Sequence, residues 1–280
     1  MTPDLLTARS GRVKEARKLQ RRRDRSEHRL FLAEGAKALS EALAAPGGVA
    51  EVFATREAGE RHAALRQAVQ EAGLPWLPAE DDALGSLSGA VTPQGIVAVC
   101  RFLDRPTGVL LDAATRTVVI CADVRDPGNA GTVVRCADAA GAEAVVLAGN
   151  SVDPYNDKTV RATVGSLWHV PIALDDDPAG VVRRAQEAGF VVLAADGAGE
   201  TDLFGAERTG LLDQKVAWLF GNEAWGLPEE LAALADHRVS IPIFGRAESL
   251  NLSTAAAVCL YASARARRTD AGGHHAGPLR

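Results

Sequence analysis

The 280-residue chain lacks most of the signals by which sequences declare a familiar chemistry. Its four cysteines, Cys100, Cys121, Cys136 and Cys259, form no CxxC pair and keep no regular spacing. They read as reduced packing residues, which excludes a disulfide framework and a zinc site. No Gly-x-Gly-x-x-Gly follows an apolar run, no Gly-Lys dipeptide exists for a Walker loop, and neither HExxH nor GxSxG occurs, so a Rossmann dinucleotide site and a P-loop are unsupported. His28, His62, His169 and His237 are scattered without ligand spacing, and His274-His275 lies in a polar tail; no metal is expected. No uncharged run reaches the roughly 18 to 20 apolar residues of a bilayer span, and the N-terminal MTPDLLTARSGR has no signal-peptide core. The expectation is a cytoplasmic protein with no membrane association.

The chain does carry charge, unevenly spread. The total is 31 Lys+Arg against 36 Asp+Glu, a net of −5, which excludes a uniformly cationic nucleic-acid packer. Between Arg12 and Arg29, nine basic residues meet three acids, giving that segment +6 and the remainder −11. Arg12, Lys14, Arg17, Lys18, Arg21, Arg22, Arg23 and Arg25 form either a solvated face or a phosphate-binding surface. Apolar residues make up 47% of the chain, enough for a sizeable core.

Two halves emerge from the periodicity. In the first, a polar helix-favouring stretch at 7–29 precedes an apolar run at 30–33 and a helix at 37–45. A strand at 49–54, a helix near 57–72 and a strand at 95–101 follow. This predicts a compact α/β domain over 1–104, closed by the breaker segment Asp104-Arg105-Pro106-Thr107-Gly108. In the second, continuous apolar runs at 117–122, 144–147, 190–194 and 216–220 predict strands buried on both faces. Helices at 132–140 and 179–188 lie between them. That alternation implies a parallel sheet covered by helices over 105–268, with ligands at the carboxyl ends of its strands. A last helix is expected at 252–268, and 269–280 reads as a disordered tail.

Three segments place small and polar residues where such a site would lie. Asp126-Pro127-Gly128-Asn129 reads as a turn leading into a helix that carries Arg135, whose start could meet an anion; a capped loop and a surface arginine is the plain alternative. Phe220-Gly221-Asn222-Glu223-Ala224-Trp225-Gly226-Leu227-Pro228 follows a strand directly, and its glycines allow close backbone approach. Glu223 could equally cap a helix beginning at Pro228. The third, Ile241-Pro242-Ile243-Phe244-Gly245-Arg246-Ala247-Glu248-Ser249-Leu250-Asn251-Leu252-Ser253, holds more polar side chains than one helix cap requires.

Taken in order, N-A-G-T-V-V-R at 129–135, F-G-N-E-A-W-G-L-P at 220–228 and I-P-I-F-G-R-A-E-S-L-N-L-S at 241–253 resemble the three signature motifs of the SpoU (TrmH-like) branch of the SPOUT RNA methyltransferases. Ser151 to Tyr155, with Lys158 and Arg161, extend the resemblance. The first hundred residues resemble, more weakly, the ribosomal-protein-like RNA-binding extension of such enzymes, through Phe31-Leu32-Ala33-Glu34-Gly35 and Thr92-Pro93-Gln94-Gly95-Ile96. The resemblance implies an α/β SPOUT catalytic domain with a trefoil knot, a homodimer whose sites draw on both subunits, and S-adenosyl-L-methionine as cofactor. A dimer face could come from 255–261 or 133–140. The implied reaction is methylation of a ribose 2′-hydroxyl, with ribosomal RNA preferred and tRNA the alternative. The implied catalytic set is Asn129, Arg135, Glu223, Ser249 and Asn251; Phe220, Gly221, Asn222, Ile241, Leu250, Asn251 and Ser253 would hold the cofactor. A non-catalytic RNA-binding module would explain the basic segment but not the three motifs, and an unrelated α/β enzyme would explain the reverse.

Overall fold

A computed structural model describes residues 5–90 and 92–270. Two compact units divide them: residues 5–103 with Asp153–His169, and Asp104–Val152 with residues 170–270.

The basic stretch folds as two helices, α1 (Gly11–Lys18) and α2 (Arg22–His28), where the sequence suggests one. The break has a visible cause. Leu19 is pulled into the core, and the Arg25 guanidinium donates to the free carbonyls of Leu19 and Gln20 at 3.0 and 2.9 Å, satisfying the end of α1. Then follow β1 (Leu30–Glu34), α3 (Ala36–Ala44), β2 (Val49–Ala54), α4 (Arg56–Arg61), α5 (Ala63–Glu71), β3 (Trp76–Pro78), α6 (Asp81–Leu87) and β4 (Ile96–Arg101). The strands form a sheet in the order β1-β4-β2-β3. Strand β4 sits inside it and alternates its buried side chains between the two faces: Val97 and Val99 join Val13, Leu19, Phe53 and Leu84 in one core. The helix expected over 57–72 is interrupted at His62, which separates α4 from α5.

In the second unit α7 (Thr107–Leu110) leads into β5 (Thr117–Ala122), α8 (Pro127–Ala140) and β6 (Ala144–Ala148). The chain then supplies α9 (Asp157–Thr163) to the first unit before returning as β7 (Ile172–Asp175), α10 (Pro178–Glu187), β8 (Val191–Ala195), β9 (Thr201–Asp202) and α11 (Leu203–Arg208). It ends with β10 (Val216–Phe220), α12 (Glu229–Ala232), β11 (His237–Ser240) and α13 (Leu252–Asp270). Seven strands lie in the order β7-β6-β5-β10-β8-β11-β9, every pairing parallel. The five residues of β10 and the six of β5 are all buried, as strands covered on both faces require.

Two expectations change here. The sequence assigns 153–169 to the second half, whereas Tyr155 is buried against Phe31 and stacks on Phe102 at 3.8 Å within the first unit. The last helix runs two residues beyond its expected end, to Asp270; the rest of the expected tail, with His274 and His275, lies outside the described residues.

Candidate active site

The site is built where β5 and β10, paired in parallel, release their chains from adjacent carboxyl ends. After β5, Asp126 caps α8 by accepting the Asn129 N–H at 2.7 Å, with Pro127 at the first helical position. Pro-Gly-Asn is therefore the first turn of the helix and not a loop before it, which corrects the expected start at 132. After β10, Gly221 lies so close to Gly226 that a Cβ would fall 2.3 Å from its carbonyl, and only glycine fits. Asn222 and Gly226 exchange backbone hydrogen bonds at 2.9 Å in both directions, closing a short loop with Glu223, Ala224 and Trp225 at its tip.

Glu223 does not cap α12. Its carboxylate accepts the backbone N–H groups of Arg125 and Asp126, at 3.2 and 3.1 Å, and the side-chain amide of Asn129 at 3.2 Å. Because a carboxylate only accepts, Asn129 presents its Nδ2 to Glu223 and keeps Oδ1 for the Asn251 amide at 3.0 Å. Asn251 Oδ1 in turn accepts from the Ser253 N–H and hydroxyl at 2.9 and 2.7 Å, capping α13. One directed chain of hydrogen bonds thus joins the three motifs. Buried Asn222 is engaged at both ends, donating to the Asp123 carbonyl at 2.7 Å and accepting from Ala224 N–H at 2.8 Å.

A cleft of about 360 Å³ opens beside this framework, at the carboxyl ends of β8, β10 and β11. Of the expected residues, Phe220, Gly221, Asn222, Glu223, Ile241, Ser249 and Leu250 line it. Asn251 and Ser253, expected to hold the cofactor, do not; their side chains form the α13 cap and the contact to Asn129. Asn129 and Arg135 also lie outside the lining. Six residues apart on α8, those two point about 120° apart around the axis and sit about 9 Å apart along it. Arg135 is exposed and makes no hydrogen bond or ion pair among the described residues.

Asp196, Gly197 and Glu248 line the cleft without having been singled out. Asp196-Gly197 follows directly on β8, the same strand-end signal that marks Gly221. Cys121, at the end region of β5, offers no nucleophile: burial pushes its thiol up to about 12, with the Glu223 charge adding to the effect. Among the described residues no group of three His, Cys, Asp or Glu is placed to hold a metal ion, and no helix is long and apolar enough to cross a membrane.

In the first unit, Arg12, Lys14, Arg17, Lys18, Arg21, Arg22 and Arg23 are exposed. Arg12 pairs with Glu51 at 2.6 Å and Lys18 with Glu15 at 2.8 Å; the others form no ion pair among the described residues. Arg25 is corrected from this set. It is 4% exposed and holds Asp153 through two nitrogens at 2.9 and 2.6 Å.

Residues 116–261 match the SpoU rRNA Methylase family model, and residues 11–98 match that of the MRM3-like substrate binding domain. The chain is 33% identical over 262 residues to the 23S rRNA (guanosine(2553)-2'-O)-methyltransferase RlmP of Bacillus subtilis, covering 91% of this chain and 96% of that one. It is 31% identical over 205 residues to the 23S rRNA (guanosine-2'-O-)-methyltransferase RlmB of Ralstonia nicotianae, covering 72% and 81%. The crystal structure of an AdoMet-bound rRNA methyltransferase from Sinorhizobium meliloti superposes with a TM-score of 0.81 at 33% identity, over 91% of this chain and 95% of that one. With three motifs meeting at the ends of a parallel sheet and a family model matched across them, the chain belongs to the SpoU rRNA methylase family.

Proposed function

We propose that this protein transfers the methyl group of S-adenosyl-L-methionine to a ribose 2′-hydroxyl of 23S ribosomal RNA. The observation that carries this reading is the cleft at the strand ends, framed by the Glu223, Asn129 and Asn251 hydrogen-bond chain. The residues fit the cofactor's chemistry. Ile241, Leu250 and Leu252 would offer apolar surface to an adenine, Gly221 and Gly226 would let backbone come close, and Asp196 and Glu248 would supply counter-charge for the cofactor's cationic groups. Bound there, the cofactor supplies an activated methyl group on a sulfonium.

The chain's own task is to orient and polarise. A guanidinium stays protonated at neutral pH, which disfavours Arg135 as a general base and favours it as a clamp on the phosphate beside the target ribose. Its position outside the cleft fits a site completed by a second subunit. Ser249, exposed on the cleft wall, is available to the hydroxyl, and Glu223 with Asn129 and Asn251 fixes the loops. A homodimer is supported by apolar side chains left in solvent on α13, Val258 at 37% and Tyr261 at 55% exposure. The other candidate face, 133–140, has Val133, Val134, Ala137 and Ala140 buried in its own fold. A knot threaded by the segment at 241–253, a cytoplasmic location and RNA capture by the exposed α1 and α2 cations complete the proposal.

Tritium transfer from labelled S-adenosylmethionine into separate rRNA and tRNA pools, followed by nucleoside analysis, tests it. Label is expected in a 2′-O-methylnucleoside of rRNA; label only in tRNA, or none in RNA, overturns the assignment. An Arg135→Lys variant with near-normal turnover would sink the bidentate clamp.

A further inference from the structure

The loop that positions Glu223 also presents an aromatic ring that the reaction as described does not use. Of the four tryptophans, Trp218 is fully buried and Trp76 and Trp168 are half-buried, whereas Trp225 is 55% exposed. It is not on a loose segment. The paired hydrogen bonds between Asn222 and Gly226 close the loop at its neck, and the Asn222 side chain holds Ala224 from inside. Arg125 is gripped twice: its backbone N–H donates to Glu223, and its guanidinium carbon lies 5.1 Å from the centre of the Trp225 ring.

We propose that Trp225, backed by Arg125, is a stacking platform for a nucleobase adjoining the methylated ribose; the assignment rests on the RNA methyltransferase reading above. Three observations carry it. The ring sits at the lip of the cleft, since its loop neighbours Glu223, Ala224 and Gly226 line that cleft. A large aromatic held rigidly in water loses little freedom on binding, so stacking is pre-organised. Its chain neighbours also argue against an apolar protein interface. Glu223, Pro228 and Glu229, within four residues of it in the chain, are exposed with it, and a protein interface would centre such a ring in apolar, charge-depleted surface that they do not provide. The Arg125 cation against the ring adds attraction for the phosphate that every stacked base brings with it.

Filter binding of an in vitro transcript of 23S rRNA, read beside tryptophan emission and calorimetric titration with S-adenosylmethionine, tests the platform. Wild-type emission is expected to be quenched on RNA addition. Trp225→Ala should lose about fivefold to 150-fold in RNA affinity, the range found for removing one base-stacking aromatic. Trp225→Phe should keep most of the affinity while losing the quench, and all three proteins should bind the cofactor alike. RNA affinity of Trp225→Ala within twofold of wild type overturns the proposal, as does an equal loss in Trp225→Phe. A fall in mass by light scattering in Trp225→Ala with RNA affinity retained would assign the ring to a second copy of the chain instead. Failure of the wild type to bind cofactor or RNA would instead remove the methyltransferase reading itself.

Discussion

The amide nitrogen of Asn251 donates to Asn129 Oδ1 across 3.0 Å, although 122 positions separate the two residues in the chain. Neither lines the cleft, yet together they hold the start of α8 to the start of α13. Asn129→Ala and Asn251→Ala should each lower turnover by reorienting the motif loops. Residues in one hydrogen-bond network couple by about 0.5–3 kcal/mol, so the double variant should lose clearly less than the sum of the single losses. A double-mutant cycle on kcat/KM measures this; additive losses would show that the two amides act separately.

Arg25 and the neighbouring arginines should divide cleanly by phenotype. Arg25→Ala leaves Asp153 without its partner at side-chain exposures of 5% and 10%, and removing one member of a buried pair costs about 3–5 kcal/mol. Urea melts should register that loss. Replacing Arg21, Arg22 and Arg23 together by Ala should leave the melt nearly unchanged, weaken RNA binding, and flatten its salt dependence by up to about 0.9 in slope per lost phosphate contact.

Thiol reactivity should be sparse in the native protein. All four cysteines are free. Burial raises the thiols of Cys100, Cys121 and Cys259; it raises that of Cys136 too, but this side chain is only half-buried and Arg135 opposes the effect. Titration with a chromogenic disulfide near pH 8 should find slow reaction at Cys136 alone, and four equivalents in denaturant; rapid native reaction of two or more would contradict the packing.

Asp175 should contribute an acid-sensitive part of the stability. Partial burial works against its charge, but the Thr107 hydroxyl at 2.7 Å, the Asp177 N–H at 3.2 Å and Arg184 at 2.6 Å outweigh that and hold its carboxyl below the ordinary value. A depressed folded value means the contribution is complete above the unfolded pKa of about 3.9 and disappears as the pH falls through the lower folded one. Asp175→Asn should therefore be about 1 kcal/mol less stable at pH 7, where Arg184 is partly screened by solvent, with the gap closing below pH of about 3.9. Melts from pH 7 to pH 3 would show whether the two curves converge.

Several strands were legible residue by residue: 49–54 is β2, and the continuous apolar runs at 117–122 and 216–220 are β5 and β10, buried on both faces. Strand β11 was not, because His237-Arg238-Val239-Ser240 buries only Val239 and owes its place to backbone pairing with β8 and β9. The motif residues were legible as a set, but their division of labour was not. Local pattern shows that Asn251 and Ser253 suit a helix cap; it cannot show that Asn251 also reaches Asn129. Likewise nothing near Arg25 in sequence distinguishes it from Arg22, since Asp153 arrives from 128 residues away. The Asp-Pro pair ahead of Gly128 carries a helix-start signal that the turn reading, with its start at 132, passed over; it fixes Asn129 inside the first turn.

The backbone passes between the two units three times, after Leu103, Val152 and His169. A chain cut at the Asp104 to Gly108 breaker would leave Phe31 and Phe102 without Tyr155, and Arg25 without Asp153. The N-terminal unit is thus not a cassette that recombination could append or remove at a single joint. Any transplant that preserves its core must carry the later segment with it, so insertions and shuffled fusions should survive only where all three passages are kept.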